Sequence, residues 1–351
     1  MKKTAISLAI VLVLGLVSGT MAGETKVQGR LYAHWMMDLT DGAGNFNDFG
    51  VSRAYVTVRS KLSEYTSVRI TTDIRDAGGF GGYSIVLKYG YIDWKPAFAN
   101  EVVTFRFGLQ PTPYINAMNK LWGRRYLERT IGDDRVFLTT SDFGAGLKFA
   151  FGDKGSLGHI AANVWNGTNY TNVDERNKHK DFSGFVLLTP LRDNDDFVRT
   201  AIQAQAYIGT QNRVIGVDEQ ASDWDRALFS FGGLLAYRNT LDLGGDINFY
   251  ATGQGPDTED IKETGYSFFG TLYLEDFVPD ESLLRTLNFF GRFDMYDPNT
   301  DADDDAETLV IGGVECVPVH GFKASVNIRS VSYQDDSQGQ TYLYLNTLFK
   351  F

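Results

Sequence analysis

The mixed charges of this chain that could act on a solute lie between Pro111 and Asp142. There Lys120, Arg124, Arg125, Arg129 and Arg135 are mixed with Glu128, Asp133, Asp134 and Asp142. A guanidinium presents a planar fork of donors that fits a carboxylate or a phosphate. Facing water across a narrow passage, such a mixture sets up a transverse field that selects ions at short range. Facing one another, the same residues pin the segment to its surroundings. On the first reading Lys120, Arg124, Arg125, Glu128, Arg129 and Arg135 line a pore constriction. A second set, Arg30, Arg53, Arg59, Arg69, Arg75 and Arg106, occurs earlier in the chain and would form a basic track for small anionic or neutral solutes. Asp242, Asp246 and Asp294 occupy comparable positions in the later half.

Other chemistries find little footing. His34, His159, His179 and His320 stand singly, without metal-ligand spacing, and no GxSxG elbow is present. The run Asp297 to Glu307 carries closely spaced carboxylates of the kind calcium favours, but lacks the glycine turn and terminal glutamate of a helix-loop-helix site. It reads as a solvated loop. No catalytic residue, metal or cofactor is therefore expected, and no enzymatic activity. With 44 acidic against 33 basic side chains the net charge is −11, which argues against a nucleic-acid partner. Much of that charge falls in segments that read as external loops: Asp297 to Glu307, Asp193 to Asp196 and Asp257 to Glu263. The single cysteine, Cys316, excludes an intrachain disulfide framework.

The elements that position these charges follow from hydrophobic periodicity. Residues 1–22 have a basic start at Lys2 and Lys3, an apolar run and a small-residue end at Ala22, the pattern of a signal peptide. Residues 23–351 then read as one domain in which apolar and polar residues alternate. Val56 and Val58 alternate with Tyr55, Thr57 and Arg59; Val326 and Ile328 alternate with Ser325, Asn327 and Arg329. About sixteen such segments of roughly ten residues, separated by Gly, Asp, Asn and Pro clusters, are the economy of a transmembrane barrel. No convincing amphipathic helix interrupts them. Three stretches, YSIVLKYGYIDW, FSGFVLLTPL and TLVIGGVECVPV, are apolar on both faces, so their inward side is open. The expected fold is all-β: a transmembrane antiparallel barrel of about 16 strands whose Pro111 to Asp142 loop folds inward. Its outer face would meet outer-membrane lipid. The alternative is a secreted β-sandwich that binds a ligand and forms no channel.

The chain ends TYLYLNTLFKF, an alternating strand closed by Phe351. This resembles the signal by which bacterial outer-membrane barrels engage their assembly machinery. The segments VSRAYVTVRSKLSEYTSVRITTDI, FRFGLQPTPYINAMNKLWGRRYLERTIGDDR, ANVWNGTNY and GRFDMYDPN, in that order, resemble the phosphate-selective porin O and P family. The family's ERS-like stretch corresponds to Tyr126-Leu127-Glu128-Arg129-Thr130. The resemblance implies a sixteen-stranded outer-membrane porin, usually a homotrimer, with its third long loop in the lumen. The arginine ladder of phosphate-selective members has no residue-by-residue match here.

Overall fold

A computed structural model describes residues 23–78, 81–335 and 337–351. The expected signal peptide, 1–22, lies outside the described residues. Sixteen strands follow one another along the chain. They are β1 (Thr25–Asp38), β2 (Asn47–Lys61), β3 (Thr66–Asp76), β4 (Tyr83–Trp94), β5 (Val103–Pro111), β6 (Ser141–Phe151), β7 (Gly158–Trp165) and β8 (Asp181–Leu188). The second half comprises β9 (Ala201–Thr210), β10 (Asp225–Tyr237), β11 (Leu241–Thr252), β12 (Ile261–Tyr273), β13 (Leu287–Asp297), β14 (Glu307–Val319), β15 (Phe322–Tyr333) and β16 (Gln340–Lys350). Each pairs antiparallel with its sequence neighbours, and β16 returns to β1 from Arg30↔Lys350 to Asp38↔Tyr342. One sheet closed on itself leaves no edge, the condition for crossing hydrocarbon with strands. That closure excludes the β-sandwich.

The polarity of the fold is inverted. Val27, Ile70, Phe107, Phe231 and Phe268 are all more than half exposed on the outer wall, whereas Asp73, Asn248, Ser230 and Glu315 are buried within the barrel. An exterior belt of bare apolar side chains is stable only against lipid. Because strands alternate in direction, connections fall at two ends. The termini share one end with the connections 62–65, 95–102, 152–157, 189–200, 238–240, 274–286 and 320–321. The other, here the loop end, carries 39–46, 166–180, 211–224, 253–260 and 298–306. Asp193 to Asp196, expected in an external loop, therefore sits at the termini end.

The alternation breaks in β4. Tyr83, Ile85 and Leu87 are exposed, and so are Ile92 and Trp94. The register slips between Thr71↔Tyr89 and Thr72↔Leu87, leaving Lys88 unpaired in a bulge. The extra residue moves the outward positions from odd to even numbers. Lys88 and Tyr89 are both buried on the inner side.

Candidate functional site

Residues 112–140, between β5 and β6, do not extend away from the barrel. Pro113 opens a short helix, α1 (Pro113–Trp122), which ends at Gly123 with φ +70°, the left-handed stop that glycine favours. Tyr114, Ile115, Met118 and Trp122 share one buried face at helical spacing. This helix was not anticipated. Its signals were the proline and glycine at its two ends and that spacing. A second turn, α2 (Ile131–Asp134), follows.

The segment spans the barrel interior because its apolar side chains meet inward residues of distant strands. Trp122 packs on Phe269 and Phe290 at 5.2 and 6.3 Å between ring centroids. Tyr114 meets Phe185 edge-on at 6.5 Å, and Phe137 packs on Tyr250 and Tyr296. A Cβ at Gly232 of β10 would fall 2.8 Å from the Tyr114 hydroxyl, so only glycine leaves room there for α1. From the opposite wall the Tyr89 hydroxyl donates to Asn116 at 2.8 Å, and Asn116 in turn donates to the Thr140 carbonyl at 2.6 Å.

Charge completes the anchoring. Arg124 donates to Thr271 at 2.7 Å and to Glu315 at 3.2 Å; the Tyr126 hydroxyl, Asn288 and Lys323 also donate to Glu315. Arg125 donates to Asp133 at 3.0 Å and to the Tyr55 hydroxyl at 2.8 Å. Glu128 accepts from Arg329 at 2.9 Å, and Arg129 pairs with Asp134 at 2.5 Å. Arg135 pairs with Asp134 and Glu307. Each of the four loop arginines therefore has a carboxylate partner. Their positive charge is locally spent on holding the loop against β2, β12, β14 and the loop's own turn. Lys120 has no such partner among the described residues.

The six strand arginines divide in the same way. Arg53 pairs with Asp73 at 2.9 Å, and Arg106 holds Asp93 with two bonds of 2.6 and 2.8 Å. Arg75, half-buried near the loop end, forms no ion pair among the described residues. Arg30, Arg59 and Arg69 converge with Lys120 and Lys350 on a cavity of about 380 Å³ between the inward loop and strands β16 and β1 to β4. No carboxylate lines it. Arg59 lies directly across the ladder from Arg69, and Arg30 across from Lys350. Like charges placed opposite one another cost stability, so this arrangement has no structural reward of its own. Lys120 is open to the lumen water yet walled in by protein. That enclosure, followed by the positive charges of Arg69, Arg59, Arg106 and Arg30, holds its ammonium below the ordinary lysine range.

The sequence reading singled out neither Lys350 nor Glu315 nor Lys88 as a site residue. Lys350 sits between Phe349 and Phe351 and so on the inward side, a signal present in the sequence. Glu315, 1% exposed, lay inside a stretch apolar on both faces. Lys88 donates to Thr140 Oγ1 at 2.7 Å and lies 4.4 Å from the Tyr170 ring centroid; only the bulge turns it inward. Phe351 lies at the barrel seam, exchanging backbone hydrogen bonds with Gly29. In the acidic run, Glu307 turns in to Arg135 and Asp301 pairs with Lys262.

No protein-family model and no curated protein matches the chain. Among solved structures it is similar to a loop-deletion variant of OmpT, an outer membrane protein of Vibrio cholerae, with 14% identity and a TM-score of 0.64 over 94% of this chain and 100% of that one. It is similar to an anion-selective porin from Comamonas acidovorans, with 12% identity and a TM-score of 0.65 over 94% and 100%. The outer membrane channel DcaP of Acinetobacter baumannii aligns at 9% identity with a TM-score of 0.62 over 94% and 97%. The likeness is one of fold. The chain has the sixteen-stranded antiparallel β-barrel fold of these outer-membrane proteins.

Proposed function

We propose that the chain forms a water-filled channel through which small hydrophilic solutes diffuse passively, with a preference for anions. The observation that carries this is the cavity holding Arg30, Arg59, Arg69, Lys120 and Lys350 with no carboxylate in its lining. An anion passing α1 meets free cations on the barrel wall, while the loop arginines are neutralised by their partners. Selectivity thus belongs to the wall and Lys120 more than to Arg124, Arg125, Arg129 and Arg135, whose role is to hold the constriction in place. Phosphate-like solutes fit the guanidinium chemistry, and the segments that resemble the phosphate-selective porins, though without their arginine ladder, point the same way. Assembly into a homotrimer, insertion guided by Phe351, and a mature chain of one domain starting at residue 23 belong to the same reading.

Reversal potentials in planar bilayers under a potassium chloride gradient test it. The wild type is expected to be anion-selective, with Arg59→Gln/Arg69→Gln lowering or reversing the preference and Arg129→Gln leaving it nearly unchanged. Cation selectivity in the wild type, or a larger effect from Arg129→Gln, refutes the assignment.

A further inference from the structure

The free charges of the lumen are sorted along its axis. Toward the termini end, Arg30, Arg59, Arg69, Lys120 and Lys350 are unpaired, and Lys148 of β6 also forms no ion pair with a described carboxylate. Toward the loop end the sign reverses. Asp38, Asp48 and Glu263 face inward without a basic partner among the described residues; Glu263 accepts only from the Tyr296 hydroxyl. At the rim above them two connections continue the trend, whereas 166–180 mixes Asp174 and Glu175 with Arg176, Lys178 and Lys180, and the termini-end connections are mixed in sign. Connection 253–260 carries Asp257, Glu259 and Asp260, and 298–306 carries Asp301, Asp303, Asp304 and Asp305, with no lysine or arginine in either. Arg75 is the exception on the strands. Between the two zones lies the loop, whose arginines and carboxylates are matched and whose Lys120 belongs to the basic zone.

We propose that the pore is an axial rectifier, passing more current when the loop end is electrically positive than when it is negative. This rests on the reading of the barrel as a conducting channel. Mobile cations dominate in the acidic mouth and mobile anions in the basic chamber, because fixed charge recruits its counter-ion. With the loop end positive, cations move inward from the mouth and anions move toward them from the chamber, so carriers accumulate at the loop. With the polarity reversed, both are drawn away from that junction and it is depleted. The two zones influence the lumen only while the screening length is comparable to its width, about 10 Å at 0.1 M salt and about 3 Å at 1 M. The physiological consequence is directional: anion movement from the termini end toward the loop end is favoured over the reverse under an opposing field.

The full chain in planar bilayers, in symmetric potassium chloride, tests this. Orientation is assigned with Asp304→Cys in a Cys316→Ser background, by adding a bulky membrane-impermeant thiol reagent to one chamber. At 0.1 M the current with the loop end positive is expected to be about twice that at the opposite voltage, and the ratio should approach one at 1 M, where screening is complete within about 3 Å. Arg59→Gln/Arg69→Gln and Asp303→Asn/Asp304→Asn/Asp305→Asn should each lower the ratio at 0.1 M, with folding checked by the boiled-against-unboiled gel shift. Symmetric currents at 0.1 M, rectification of the opposite sign, or a ratio untouched by both variants overturns the proposal while leaving the channel standing. Folded protein with no conductance overturns the channel reading instead.

Discussion

Replacing Glu315 by leucine should loosen the loop inside the barrel, and the structure sets the size of the effect. The carboxylate is 1% exposed and accepts from Arg124, Tyr126, Asn288 and Lys323 at 3.2, 2.8, 3.2 and 3.3 Å. Lys323, whose side chain is 26% exposed, can turn to water when its partner goes. Arg124, at 5%, cannot, and would keep only Thr271 and the faces of Phe290 and Trp122. Removing one member of a buried ion pair costs about 3–5 kcal/mol because the other charge stays desolvated. Arg124→Met should cost less, because Glu315 keeps Lys323, the Tyr126 hydroxyl and Asn288. The double substitution removes both charges, and apolar replacements of buried pairs are often close to neutral. The double variant should therefore be less destabilised than the sum of the singles by about 3 kcal/mol or more. Urea unfolding of the protein in lipid vesicles, followed by gel mobility of unboiled samples, gives the four corners of the cycle. Single-channel recordings should show noisier currents in each single variant than in the double. Additive losses would refute the argument that this pair is what fastens the loop to β14.

Raising the pH should weaken anion preference earlier than an ordinary lysine would allow. Burial and neighbouring arginines already favour the neutral form of Lys120, so the charge is lost as pH climbs through its lowered range; Lys120→Arg should hold the preference across the same range in reversal-potential measurements. Asp142 accepts from the backbone N–H groups of Gly167 and Asn169 and from Thr168 Oγ1 at 2.8, 3.0 and 3.1 Å. Asp142→Ala should release connection 166–180, at a cost of about 1–3 kcal/mol locally for the donors left unpaired, and protease added at the loop end should cleave there faster than in the wild type. A Cβ on Gly29 would fall 2.1 Å from the Phe351 ring. Gly29→Leu should dislodge that ring and lower the heat-modifiable fraction in refolding assays, whereas Gly312→Ala, away from the seam and with nothing within 4 Å of the added Cβ, should leave that fraction unchanged.

The architecture was legible because a barrel wall between lipid and water imposes a period of two, and strands such as β2 and β15 obey it along most of their length. Strand number, closure by the Phe351 segment and the inward side of Arg30, Arg59 and Arg69 all follow from that period. It failed where the inner face meets protein instead of water. Phe185 and Leu187 in β8, and Leu309 and Ile311 in β14, are inward apolar residues packed into the cluster formed with the loop. This is why two of the ambiguous stretches looked apolar on both faces, and the third did so because of the Lys88 bulge. The charge pairing could not be read from composition at all. Arg124 and Glu315 are far apart in the chain, and so are Glu128 and Arg329; only the inward course of residues 112–140 brings them together. Outside β4, β8 and β14, the sequence alone determined which residues face the lumen. Tertiary structure decided which of those charges are neutralised in place and which, at Arg30, Arg59, Arg69, Lys120 and Lys350, have no carboxylate partner among the described residues, because ion pairing is set by three-dimensional proximity and not by order along the chain.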